Sequence, residues 1–188
     1  MTMHFRKALI DLSQRLEQER DLASRCKNAL RLIVGYADEG SSLQRFAQQA
    51  QDRIHSLPKA DRAHLEAIYS IGHECFALGQ FSEATDLFVL ISTFDPNSEV
   101  AYHSLGITEQ ERGHYDAAAQ AYQVVSLLAP SASVPALLYA TECHIMKQDY
   151  AKAIGTLQQA KELMSPQLQP SDWKRAAQLS AYLESWEA

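Results

Sequence analysis

Seven histidines and three cysteines are the side chains here best suited to metal binding, acid–base work or nucleophilic attack. The histidines stand at positions 4, 55, 64, 73, 103, 114 and 144. A helix that holds zinc for hydrolysis needs His-x-x-x-His on one face, with Glu after the first His, and that spacing does not occur. His64 and His73 lie two to three helical turns apart, and Cys143 and His144 are neighbours that point to different sides of a helix. No Cys-x-x-Cys, Gly-x-Gly-x-x-Gly or Walker-type loop is present. Cys26, Cys75 and Cys143 cannot all pair among themselves, and each falls at an apolar helical position, which points to buried, reduced thiols. The sequence therefore leads us to expect no catalytic residues, no metal ligands and no cofactor. The function should lie in binding.

Of the 188 residues, 46% are apolar and 21% charged, the balance of a folded domain rather than a disordered chain. The net charge of −6, with no long Lys/Arg cluster, disfavours nucleic acid, whose phosphates call for a basic face. No apolar run of about 18 residues exists to span a membrane. The segment Met1–Lys7 leads into Asp11, Arg15, Glu17 and Glu19 without the apolar core or cleavage site of a signal peptide. A cytoplasmic protein is expected.

The elements that carry these residues repeat. Aligning Leu65–Pro96 with Glu99–Pro130 at an offset of 34 puts Ile71 on Leu105, Gly72 on Gly106, Gly79 on Gly113 and Phe81 on Tyr115. It also puts Tyr69 on His103, Ala84 on Ala118, Phe88 on Tyr122, Ile91 on Val125 and Pro96 on Pro130. A third copy follows at offset 35, with one extra residue near Ser131–Val134, placing Tyr150, Ala153, Leu157 and Ala160 on Tyr115, Ala118, Tyr122 and Val125. In that copy Thr141 replaces the helix Gly and Gln148 the turn Gly. The period is that of a tetratricopeptide repeat. The Gly and the Ala let the two helices of a pair approach, the aromatic fills the gap between pairs, and the Pro ends the second helix. Asp95-Pro96-Asn97-Ser98 offers a turn and an N-cap.

The expected fold is all-α: a solenoid of three tetratricopeptide helix pairs over 61–166 (65–98, 99–133 and 134–166), an N-terminal helical extension over 1–60 and a C-terminal capping helix over 171–188. In the cap, Trp173, Ala176, Leu179, Leu183 and Trp186 recur at helical spacing after Pro166 and Pro170. In the extension, Phe5, Leu9, Leu12, Leu16, Glu19, Ala23, Cys26, Leu30, Ile33 and Ala37 form a heptad-like stripe on a helix of about 5–37, and a shorter helix of about 42–56 follows. Such a stripe can pack on the first repeat as a cap, or serve self-association or a partner. The pattern fits both.

In a stacked solenoid the first helix of each pair lines the concave face. The positions expected there are Glu66, Tyr69, His73, Phe76 and Ala77, then Val100, His103, Ile107, Gln110 and Glu111, then Pro135, Leu138, Glu142, Ile145 and Met146. Gripping a C-terminal carboxylate would need Lys, Arg and Asn at these places. The face instead carries aromatic and aliphatic groups with a few acids, which suits the apolar side chains of an extended segment.

The stretch from Ala67-Ile-Tyr-Ser-Ile-Gly through Gly79-Gln-Phe-Ser-Glu-Ala, then Tyr102-His-Ser-Leu-Gly, Gly113-His-Tyr-Asp-Ala-Ala and Ala140-Thr-Glu-Cys-His-Ile-Met-Lys, resembles the translocator (class II) chaperones of bacterial type III secretion systems. The resemblance covers about residues 65–165. It implies a bacterial cytoplasmic chaperone that keeps hydrophobic, pore-forming translocators soluble and secretion-competent by holding an extended segment in the concave groove, with homodimerisation through the N-terminal helices. Carried over by position, the peptide-binding residues would be Tyr69, His73, Phe76, His103, Ile107, Leu138, Glu142 and Ile145. The sixty residues before the repeats exceed the family's usual single helix. A scaffold or adaptor joining folded components of a secretion or other assembly is the other reading of the repeats.

Overall fold

The computed structural model describes residues 22–52, 62–164 and 170–187. All regular structure among them is helical: α1 (Leu22–Tyr36), α2 (Ser42–Asp52), α3 (Arg62–Ala77), α4 (Phe81–Phe94), α5 (Glu99–Glu111), α6 (Tyr115–Leu128), a 3-10 turn (Pro130–Ala132), α7 (Ser133–Met146), α8 (Tyr150–Leu163) and α9 (Pro170–Glu187). This is an all-α tetratricopeptide-like repeat, with α3/α4, α5/α6 and α7/α8 as its helix pairs. The packing falls into two compact units, residues 1–101 and 102–188.

In the first unit, α1 packs on α2 and α4. Cys26, Ala29, Leu30 and Ile33 are buried, and Arg25 Nε donates to Asp86 Oδ1 on α4 at 2.8 Å. The described half of the N-terminal stripe thus caps the first repeat; Phe5, Leu9, Leu12, Leu16 and Glu19 lie outside the described residues, as does the end of the shorter helix beyond Asp52. Helix α2 begins at a Ser41 N-cap: Gln44 N–H donates to Ser41 Oγ at 3.1 Å, and the Gln44 side chain reaches back so that Gly40 N–H donates to its Oε1 at 2.7 Å. Phe46 on α2 is buried and stacks on His64 of α3, with centroids 4.8 Å apart.

The repeat residues do what their positions require. A Cβ on Gly72 would sit 2.7 Å from the Phe88 ring, and one on Gly106 would sit 2.6 Å from the Tyr122 ring. These glycines permit the closest approach within a pair, and the aromatic fills the space that they leave. Each pair turns through the same bonds. Gln80, His114 and Asp149 N–H reach back five residues to the carbonyls of Cys75, Glu109 and His144 at 2.8, 2.8 and 2.9 Å, a Schellman closure. The left-handed residue in it is Gly79 or Gly113 at φ 74°, but Gln148 at φ 61° in the third pair.

Before α5, Asn97 N–H donates to Asp95 Oδ1 at 3.2 Å and Ala101 N–H to Ser98 Oγ at 3.4 Å, forming the expected turn and N-cap. In the second unit, the extra linker residue is taken up by the 3-10 turn at Pro130–Ala132, and the Ser133 hydroxyl donates to the Ser126 carbonyl at 2.7 Å. Val134, Leu137 and Leu138 of α7, Ala153, Leu157 and Ala160 of α8, and Ala176 and Leu183 of α9 form one buried cluster. By residue type, this cluster is where burial stabilises the third pair, at about 1.5–3 kcal/mol for each large side chain.

Candidate peptide-binding faces

Two aromatic faces stand on the first helices of the pairs, one in each unit. In the first unit α3 places Tyr69, His73 and Phe76 one turn apart along one side. The Tyr69 and His73 rings meet edge-on at 4.5 Å, and both lean on Phe88 of α4 at 5.8 and 5.7 Å. Phe76 meets Phe81 at 5.3 Å. Tyr69 and Phe76 are half-buried and His73 is exposed, so their outer surfaces remain open for contact.

In the second unit His103 and Ile107 of α5 are half-buried on the side that faces α7. The His103 ring lies 6.0 Å from Tyr122 of α6 and 6.2 Å from Tyr139 of α7, and the two tyrosines stack at 5.2 Å. Tyr122 is almost wholly buried; burial, reinforced by the neighbouring Cys143 thiol, pushes its phenol well above the usual range, and the hydroxyl donates to Gln110 Oε1 at 3.1 Å. The Arg175 guanidinium of α9 lies 4.0 Å from the centre of the Tyr139 ring. It also donates twice to the Glu142 carboxylate, at 2.6 and 2.5 Å. Burial opposes its charge, but Glu142 and the Tyr139 hydroxyl outweigh that and raise its pKa.

The sequence expectation for these faces needs one correction. Leu138 is 0% exposed, inside the α7–α8–α9 cluster, because α9 brings Ala176 and Leu183 against that stretch of α7. It is a core residue. Ile145 is half-buried against the same cluster, and Glu142 is half-buried but tied to Arg175. Tyr139, next along α7, holds the surface place assigned to Leu138. Tyr139 and Arg175 escaped the sequence reading: the first sits one residue off the repeat register, and the second acts from 33 residues away.

The three cysteines are free and buried, and burial raises each thiol, Cys143 to about 12 with Glu142 adding to the effect. Among the described residues no group of three His, Cys, Asp or Glu is placed to hold a metal, and no helix is long and apolar enough to cross a membrane.

No protein-family model and no curated protein matches the sequence. Solved structures do. PcrH from Pseudomonas aeruginosa is 26% identical, with a TM-score of 0.55 over 69% of this chain and 96% of PcrH. PcrH in complex with the chaperone-binding region of PopD gives 25% identity and a TM-score of 0.57 over the same 69% and 96%. The Yersinia enterocolitica type III secretion chaperone SycD, bound to a peptide of the translocator YopD, is 24% identical with a TM-score of 0.56 over 66% of this chain and 93% of SycD, a likeness of fold. In fold, this chain is similar to PcrH and to the type III secretion chaperone SycD.

Proposed function

We propose that the protein is a cytoplasmic chaperone of type III secretion that holds an extended segment of a hydrophobic translocator, its aromatic faces taking the apolar side chains of that client. The observation that carries this reading is the pair of part-open aromatic surfaces, Tyr69–His73–Phe76 and His103–Ile107–Tyr139, on the helices that open each repeat pair. Neither offers an unpaired cluster of Arg and Lys for a carboxylate, and the proteins that share the fold were crystallised with peptides: PcrH with the chaperone-binding region of PopD, and SycD with a peptide of the translocator YopD. Binding, rather than catalysis, is the work such surfaces do.

Three buried anchors contribute about 1.5–3 kcal/mol each, offset by roughly 2–5 kcal/mol for ordering the peptide. The net affinity is moderate and reversible, as a holder that must release its client requires. Self-association belongs to the same proposal: the SycD chaperone has been crystallised as an alternative dimer, and the apolar stripe from Phe5 to Leu16 supplies the residues for such a contact.

Co-expression with a hydrophobic translocator tests the reading. The client should move from the insoluble to the soluble fraction with the wild-type protein. It should stay insoluble with Phe76→Asp/Ile107→Asp, whose helicity at about 25 °C matches wild type although its melting temperature falls, both positions being half-buried. An equally insoluble client with and without the wild-type protein would sink the proposal.

A further inference from the structure

On α7, Tyr139 and Glu142 lie about one turn apart, and Arg175 of α9 covers both. The guanidinium and the carboxylate each remain about one-third exposed, at 30% and 29%. A pair this open to water contributes little to stability. Helix α9 is anchored instead by Ala176 and Leu183 on its buried side. What Arg175 does change is the chemistry of the surface. Without it, a part-exposed carboxylate would stand beside the Tyr139 ring, itself stacked on Tyr122, and an aromatic face next to a carboxylate attracts guanidinium and ammonium groups. With it, the charge of Glu142 is cancelled and one face of Tyr139 is closed.

We propose that Arg175 is a specificity-determining residue of the second unit's face: it fills, from within the chain, the place where a basic side chain would bind, and so confines the client to neutral, apolar side chains beside His103 and Ile107. The inference rests on the peptide-binding reading of that face. It acts through Glu142, because only an uncovered carboxylate distinguishes a basic client residue from a neutral polar one.

The test measures binding of the PopD chaperone-binding region to the full chain, with each apolar position of the peptide changed in turn to Arg and to Gln. Wild-type protein should disfavour both changes at every anchor position. Arg175→Met keeps the aliphatic stem and its packing but removes the guanidinium. In that variant one Arg-substituted peptide should bind at least tenfold better than its Gln counterpart, and the gain should vanish when Glu142→Gln is added. A uniform loss for all peptides at unchanged helicity and melting, or no position with an Arg gain, would overturn the inference. If the PopD region binds no form of the protein, the client reading falls and a peptide-free arm decides on its own. Low-millimolar ethylguanidinium should then raise the melting temperature of Arg175→Ala, and neither that of the wild type nor that of Arg175→Ala/Glu142→Gln. No selective rescue there would mean that the place is not a guanidinium site.

Discussion

In the second helix pair, α5 gives up its side chain at Gly106 and α6 fills the space with the Tyr122 ring. In the third pair the corresponding positions hold Thr141 and Leu157, both buried, and the Thr141 hydroxyl is satisfied by the Leu137 carbonyl at 2.8 Å. One pair divides the interhelical volume as nothing plus a large ring, the other as two medium side chains. Both reach the same helix–turn–helix, because an interior requires filled space rather than a given residue. The turns differ in the same manner. Gly113 takes its left-handed conformation freely, whereas Gln148 makes the same hydrogen bonds at φ 61° against the steric cost of its Cβ, about 1–2 kcal/mol. The repeat is thus a backbone geometry that several side-chain solutions satisfy, and the third pair holds a less relaxed one.

Exchanging the two solutions should have the largest effect. Gly106→Thr drives a Cβ into a buried ring and should cost about 3 kcal/mol, and Tyr122→Leu should cost a similar amount through the cavity left behind, roughly 3 kcal/mol. Together they import the third pair's arrangement, so urea unfolding of the double variant should show a loss at least 1 kcal/mol smaller than the sum. Strict additivity would break the idea of shared volume.

Leu138 sharpens the contrast between core and face. Leu138→Ala should lower stability by about 3 kcal/mol, and Ile107→Ala, half-buried, by about 1 kcal/mol, in the same titration. Equal small losses would return Leu138 to the surface. Next in size, Gln148→Gly should raise stability by about 1 kcal/mol by relieving the left-handed turn. A destabilised variant would show that the Gln148 side chain makes up its own cost.

The smallest effect concerns the position before each turn. In the second pair Glu109 is buried there, bonded to Arg112 Nη1 at 2.6 Å and His114 Nδ1 at 2.8 Å. In the third pair His144 is buried there, and its Nε2 has no hydrogen-bond partner. Burial, then Lys152, lowers the His144 pKa below its ordinary 6.5, with Asp149 opposing them. The unfolded chain therefore takes up this proton first. The stability that the neutral imidazole carries is complete above the unfolded pKa and is lost as pH falls through it. Thermal melts from about pH 8 down to about pH 5 should fall less steeply for His144→Gln than for the wild type. Parallel slopes would mean that His144 is hydrated or partnered in solution.

The repeat period, the turns and the close glycines were legible in the sequence because each is a local requirement: Gly79 and Gly113 for positive φ, Pro96 and Pro130 for helix ends, Gly72 and Gly106 for contact across one pair. The N-terminal stripe was legible as an apolar face but not as a cap, since Cys26, Leu30 and Ile33 fit a partner chain as well as α4. The candidate faces were half legible. Tyr69, His73, Phe76, His103 and Ile107 stand on them, Leu138 does not, and Tyr139 had to be found from its neighbours.

Sequence by itself determined the type, order and pairing of the helices, because backbone conformation and close approach depend on residues within a turn or a hairpin of one another. Tertiary structure alone decided which side chains remained outside and with what charge. The burial of Leu138 under α9 and the meeting of Arg175 with Glu142, 33 residues apart, depend on a helix far along the chain, and no helical period carries that information.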